Sequence, residues 1–335
     1  MVTGMTLTTR FTEAFGLTTP IAQAGLAFVG MTPDLAVAVS NAGALGSLGV
    51  GLMPAPALLQ TIHAVRSGTW RPFHVNFITM FTKPDQIDAV CATGVAAASF
   101  HWGHPPREWI DRLHASGVRV MEQVGTVDHA KRAVDDGVDV VVAQGLEAGG
   151  HNCATLPTFA FVPLVVDAVA PALVLASGGV ADGRGLAAAL MLGADGAWIG
   201  TRFVATDESA AHDEYKRRVV AAGAEDTSLT SLFGPDTPQF NPMRVLRNRV
   251  VRTWDDPAAG HPDGAETVIG TFTLGGEETT LHRFSNLVPM RGATTGDFEE
   301  MPLLAGQGVG LVTSTRPAAE VVAELTTQAE KLLGR

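Results

Sequence analysis

Short apolar runs rich in branched side chains recur through the first two-thirds of the chain, each followed by a polar or glycine turn and a helical pattern. They begin near Pro20 (PIAQAG), Ala44 (ALGSLGV), Phe73 (FHVNFIT), Val95 (VAAASFHW), Arg119 (RVMEQV), Asp139 (DVVVAQG), Leu173 (LVLASGG) and Gly196 (GAWIGTR). Near-continuous apolar character belongs to strands covered on both faces, as in parallel sheets. Between them lie helix signals. Thr32 stands at an N-cap, Pro33 at the first helical position, and Gly43 follows the end. Thr126 to Asp136 and Asp182 to Leu192 read likewise, closed by Gly137 and Gly193. Eight strands alternating with helices predict an α/β protein with a (β/α)₈ TIM barrel. A doubly wound sheet would carry G-x-G-x-x-G after its first strand; the glycines at 43, 46, 49 and 51 have the wrong spacing.

The rhythm changes after Ala205. A charged helix is expected over Glu208 to Ala222, then a polar stretch with Pro235, Pro238 and Pro242. A hairpin turning at Gly275-Gly276 joins TVIGTFTL to ETTLHRFS, and an amphipathic helix runs from Pro317 to Leu333. The expected organisation is a barrel over residues 1–204, a smaller α+β cap over 205–315, and a helix over 316–335 returning to the barrel.

Composition narrows the class. A chain of 335 residues that is 46% hydrophobic buries a large core, which excludes disorder and small disulfide-stapled scaffolds. Thirty-four acidic against 23 basic residues give a net charge of −11, which argues against nucleic-acid and anionic-membrane surfaces. Cys91 and Cys153 provide no disulfide framework and, with a leaderless N-terminus, point to the cytoplasm. The greasiest run, Phe159 to Ala176, contains Pro163, Asp167 and Pro171, so it reads as a helix and a buried strand rather than a membrane span.

Three features carry chemistry. Ser177-Gly178-Gly179 and Gly200-Thr201 end the last two barrel strands, where barrels bind phosphate through exposed N–H groups. One glycine pair there would merely end a strand; two on adjacent strands favour phosphate. Second, Glu147-Ala148-Gly149-Gly150-His151 opens the longest loop, Glu147 to Thr158, at the functional end of the barrel. Its double glycine aims His151 at the mouth as a general base or anion-binding donor. The H-x-C pair of His151 and Cys153 lacks two further ligands, so no metal is expected. Third, Asn76, Gln123 and Gln144 are amides at the C-terminal ends of apolar strands, suited to a heterocycle edge. His101 ends the fourth strand and reaches the same mouth.

With these residues in hand, the chain resembles the nitronate monooxygenase family. PIAQAGLA, LAVAVSNAGALGSLG, PFHVNF, SFHWG, AQGLEAGGH, ASGGVADGRGLAAALMLGADG and IGTRFVATDES fall in the family's order, followed by RVLRNRVVR and LAGQGVGLV. The resemblance implies an FMN enzyme that oxidises alkyl nitronates with O₂ to a carbonyl compound and nitrite. It implies that Ala24, Asn76, Gln123, Gln144, Gly149 and Gly150 contact the flavin. Ser177, Gly178, Gly179, Gly200 and Thr201 would hold its phosphate. His151 would be the active-site histidine, taking an α-proton from a nitroalkane or steadying the nitronate, with His101 near the substrate. The implied partners are a small-molecule substrate and O₂; the oligomeric state stays open.

The chain departs from the family in two places. Gly25-Leu26 stands where proline and methionine are usual. The only tyrosine, Tyr215, lies on a helix after the barrel, and Leu304 stands where an aromatic is common. A more apolar substrate pocket is the expectation. Two alternatives remain: a flavin-dependent NAD(P)H:quinone or enoyl-thioester reductase, and a non-catalytic phosphate-binding barrel. Arg244, Arg247, Arg249 and Arg252 form the one basic cluster on offer to an acidic carrier, and it reads as structural.

Overall fold

The computed structural model describes residues 7–26, 28–255 and 264–334. Residues 1–6, read above as carrying no leader, lie outside them. Eight parallel strands form one sheet: β1 (Ile21–Gln23), β2 (Gly46–Gly49), β3 (Phe73–Ile78), β4 (Ala97–His101), β5 (Arg119–Val124), β6 (Val140–Gln144), β8 (Leu173–Ser177) and β9 (Gly196–Ile199). A two-residue strand, β7 (Gly150–His151), lies between β6 and β8 in sequence but outside this sheet. The order β1-β9-β8-β6-β5-β4-β3-β2 closes on itself. The Gln23 N–H donates to the Leu45 carbonyl and the Leu45 N–H to Ile21, both at 2.9 Å. This is the expected TIM barrel, with all eight predicted strands in place.

Alternation along each strand divides the cores. On β5, Val120 and Val124 face the helical shell while Met121 packs in the barrel interior with Val140, Val142, Leu175 and Trp198. The helices stop where their glycines predict: Gly43, Gly137 and Gly193 take φ of +90°, +101° and +93°. Thr126 and Asp182 cap their helices with side-chain oxygens, whereas Thr32 occupies its N-cap without a capping bond.

The lower end of the barrel is plugged by a helix that periodicity did not announce, Arg10–Phe15. Thr9 caps it, Arg10 forms a bidentate pair with Asp195 at 2.7–2.8 Å, and Phe11 and Phe15 enter the interior cluster. Each buried ring contributes about 1.5–3 kcal/mol, which with the Thr9 cap and the Arg10–Asp195 pair holds the helix against the barrel.

Beyond the barrel, the charged helix begins later than expected, at Asp213–Ala221, because residues before it curl around Lys216. The Lys216 ammonium is buried and donates to the carbonyls of Thr206 and Ser209. β10 (Thr227–Thr230) pairs with β11 (Met243–Leu246), and β11 pairs in turn with β7. The predicted hairpin is β12 (Val268–Leu274) and β13 (Glu277–His282), with β14 (Thr294–Gly296) on the other edge of β12. Gly275 and Gly276 both take positive φ, as a tight hairpin turn requires. The helix Ala318–Leu332 buries Val321, Val322, Leu325 and Ala329 in the cluster between sheet and helices. Among the described residues no helix is long and apolar enough to cross a membrane.

Candidate active site

A cavity opens at the C-terminal ends of the strands. Every residue singled out above is on its wall: Ala24, Asn76, His101, Gln123, Gln144, Gly149, Gly150, His151, Ser177, Gly178, Gly179, Gly200 and Thr201. All eight strands are parallel, so their C-terminal ends share one mouth.

One side of the cavity is bare backbone. Gly178 and Gly179 take φ of +109° and +74°, and the N–H groups of Gly179, Val180, Gly200 and Thr201 meet no protein acceptor among the described residues. A Cβ at Gly178 would come within 2.7 Å of Thr158 Oγ1, so only glycine fits. The Thr201 hydroxyl accepts from the Gly306 N–H at 3.0 Å, which leaves its own proton free to donate into the cavity. Gly149 lies so close to the returning chain that a Cβ would stand 2.4 Å from the Gly306 nitrogen. Residues 305–307 thereby tie the loop after β6 to the end of β9.

The opposite wall carries the amides. Gln144 donates to the His151 carbonyl at 3.1 Å and Asn76 to the Ser99 hydroxyl at 2.8 Å, while the Gln123 amide has no protein partner among the described residues. Gly25 explains one departure from the family pattern. A Cβ there would fall 1.9 Å from Asn76 Oδ1, so this loop leaves the amide a space that a proline would fill.

His151 sits between the strands and an aromatic wall. Its ring stacks on Phe240 at 3.4 Å between centroids, 18° from parallel, and meets Trp102 edge-on at 5.6 Å. Phe240 comes from the short 3₁₀ turn Pro238–Phe240, anchored where the Trp102 indole N–H donates to the Gln239 carbonyl at 2.6 Å. Trp102 itself holds φ +60°, a strained conformation for an aromatic residue. Nε2 of His151 is buried without a partner, an orphan that a bound ligand would satisfy. Burial, then repulsion from His101, depress its pKa to about 3. Burial likewise holds His101 and His74 at about 4, only partly offset by the carbonyls of Phe77 and Gln23.

These shifts have a consequence for stability. The unfolded chain binds protons at these histidines below about pH 6.5, while the folded chain refuses them until pH 3–4. Stability is therefore full above pH 6.5 and falls as pH drops, by up to about 1.4 kcal/mol per unit for each histidine. Denaturation midpoints at pH 7.5, 6.0 and 5.0 are expected to fall in that order. A midpoint independent of pH would show that the three rings are charged in the folded protein.

Several functional positions escaped sequence reasoning. Asn152, buried, donates to the carbonyls of Gly145, Leu146 and Ala148 and accepts from Ala154, which pins the histidine loop from within. His74 bridges Ser99 and the Gln23 carbonyl inside the barrel. Tyr215, placed outside the pocket by its position in sequence, lines the cavity, but its hydroxyl is committed to the Leu304 carbonyl at 2.5 Å. Three of the four clustered arginines are paired within the chain: Arg244 holds Leu146 and Thr227, Arg249 holds Glu300 and Asp297, and Arg252 holds Glu299, while Arg247 is exposed. Cys153 is exposed and ungrouped with other metal-ligating side chains among the described residues.

Known proteins with the same construction are found by sequence and by shape. The nitronate monooxygenase family profile matches residues 8–92 and 77–328. A nitronate monooxygenase of Pseudomonas aeruginosa is 31% identical over 98% of this chain and the whole of that protein. A (3aS,4S,5R,7aS)-5-hydroxy-7a-methyl-1-oxo-octahydro-1H-indene-4-carboxyl-CoA dehydrogenase of Rhodococcus jostii is 39% identical over 74% of this chain and 68% of that protein. The structure of FabK from Thermotoga maritima superposes with a TM-score of 0.80 at 31% identity, covering 98% of each chain.

Proposed function

Given that this chain belongs to the nitronate monooxygenase family and is a flavin-dependent oxidoreductase, we propose that it binds FMN and oxidises alkyl nitronates with O₂ to a carbonyl compound and nitrite. The bare N–H groups at Gly179, Val180, Gly200 and Thr201 suit the dianionic phosphate, and the amides of Asn76, Gln123 and Gln144 suit the edge of a flat heterocycle. Flavin, when bound, supplies the redox chemistry; the chain supplies position, electrostatics and exclusion of water.

The observation that carries the reading is His151: half-buried, with a buried and unpartnered Nε2 and a pKa depressed to about 3 that keeps it neutral at pH 7, at the mouth beside the amide wall. A base with a pKa near 3 takes few α-protons from a neutral nitroalkane. A nitronate already carries the negative charge, and a neutral imidazole N–H can hydrogen-bond its oxygen. The anion also pulls the imidazole toward its protonated form, strengthening that bond as the substrate settles. His101, whose Nδ1 donates to the Phe77 carbonyl at 3.1 Å, presents its other nitrogen as an acceptor. Phe240 and Trp102 shield both rings from water.

Oxygen uptake tests this directly. At pH 7, kcat/KM for a preformed alkyl nitronate is expected to exceed that for the parent nitroalkane by at least about 100-fold, the scale of one missing general base. Equal values would make His151 a working base and overturn the assignment. A second reading, oxidoreduction of a CoA-linked substrate, is favoured by the name of the Rhodococcus relative. Arg244, Arg249 and Arg252 are committed to internal partners, which leaves the exposed Arg247 as the one member of that cluster available to CoA phosphates. NADH oxidation with an enoyl thioester, in place of oxygen uptake with nitronate, would select that reading.

A further inference from the structure

On the outer face of β5, turned away from the cavity, Glu122 is fully buried between Val120 and Val124. An ionised carboxylate survives in such surroundings only when paired or metal-bound. Two imidazoles from different segments converge on it. His104, in the loop after β4, brings Nδ1 to 2.9 Å from one oxygen. His129, in the first turn of the helix Val127–Asp135, brings Nε2 to 2.7 Å from the other. One ligand atom from each of the three side chains lies within 4.8 Å of the other two. Among the described residues no lysine or arginine pairs with Glu122.

His104 adds an independent sign. Its side chain is 8% exposed, and its second nitrogen, Nε2, lies 3.0 Å from Asp136 Oδ2. The two are out of line for a hydrogen bond, so Nε2 counts among the few buried polar atoms without a partner. A small rotation of the ring would bring this N–H onto Asp136, the arrangement in which metal-bound histidines are usually held.

We propose that His104, Glu122 and His129 bind one divalent cation of the zinc class. The ligands are Nδ1 of His104, a carboxylate oxygen of Glu122 and Nε2 of His129, with a water completing four from the partly exposed His129 side. Two imidazoles with one carboxylate select zinc over calcium or magnesium, which take mainly oxygen ligands. Ligand atoms about 2.1 Å from a tetrahedral ion stand about 3.4 Å apart, so small side-chain rotations bring the three onto one sphere. Asp136, flanked by Arg107 at 3.7 Å and Arg132 at 3.8 Å, supports His104 from behind. The ion would join the loop that carries Trp102 to β5 and its following helix, behind the strand that presents Gln123 to the cavity. It is a structural clamp, and it departs from the metal-free expectation because residues 104, 122 and 129 have no sequence spacing that signals a site. It does not rest on the flavin reading.

The full-length protein, stripped with EDTA and desalted, is titrated with ZnCl₂, and metal content and melting temperature are measured. One zinc per chain, a raised melting temperature, and binding at least 100-fold weaker in Glu122→Gln and His129→Gln are expected. Glu122→Gln keeps shape and hydrogen bonding, and His129→Gln alters a partly exposed helical side chain, so circular dichroism should show both folded. Equal zinc uptake by wild type and both variants would place the metal elsewhere on the chain. No uptake by wild type would reduce the three side chains to a hydrogen-bonded network. Either result overturns the site.

Discussion

A Gly179→Asp protein is expected to purify folded and colourless, with flavin content reduced at least tenfold. The fold should survive because a Cβ at Gly179 meets only Glu147 Cβ, at an ordinary 3.8 Å. Aspartate is also among the residues that best tolerate the left-handed φ of +74° found there. The phosphate cradle would not survive. A carboxylate about 4 Å from a phosphate charge costs about 4 kcal/mol per charge pair at an effective dielectric near 20, roughly a thousandfold in affinity. Gly179→Asn separates charge from shape and should retain much more flavin. Visible absorbance and melting curves decide the matter. A yellow, stoichiometrically loaded Gly179→Asp protein would mean that the phosphate binds elsewhere.

The second large effect is expected at His151. His151→Ala should keep its flavin and lose about 10²–10⁴ in kcat on nitronates, the range spanned by positioned proton-handling and oxyanion-stabilising groups. Flavin retention follows from the local architecture. The bonds that hold this loop are made by the His151 carbonyl with Gln144, by pairing of Gly150–His151 with Met243–Arg244, and by the Asn152 side chain. None needs the imidazole. His151→Gln restores an N–H of similar reach without a basic nitrogen, so it should recover part of the lost rate if donation to the anion is the role. Turnover in His151→Ala equal to wild type would remove the histidine from the mechanism.

The barrel was legible because parallel strands buried on both faces write their positions as apolar runs, and glycines mark where each helix stops. The cavity wall was legible for a related reason. Polar residues and glycines at the ends of apolar strands violate the packing rule, and such violations gather where a ligand is received. What escaped notice depends on partners far away in sequence. The plug helix is six residues long and shows no period; Phe11 and Phe15 acquire meaning only against Met121 and Val140. Phe240 lies in a proline-rich stretch that reads as a loop until it stacks on His151. Glu122 looks like an ordinary polar interruption of β5 until His104 and His129 fold against it. The place of Tyr215 was misjudged because helix position after a barrel says nothing about which mouth the helix crosses.

The two-residue strand β7 sets a limit on redesign. Since Gly150 and His151 are hydrogen-bonded to Met243 and Arg244, the histidine's backbone is held by residues almost a hundred positions later in the chain. Grafting residues 205–315 from a relative would thus swap the aromatic wall and the support beneath the histidine in the same operation. Chimeras of this kind should fail unless residues 147–154 travel with the graft. Substrate range in this architecture is then more readily altered by single changes at positions such as Phe240 or Leu304 than by exchange of whole modules.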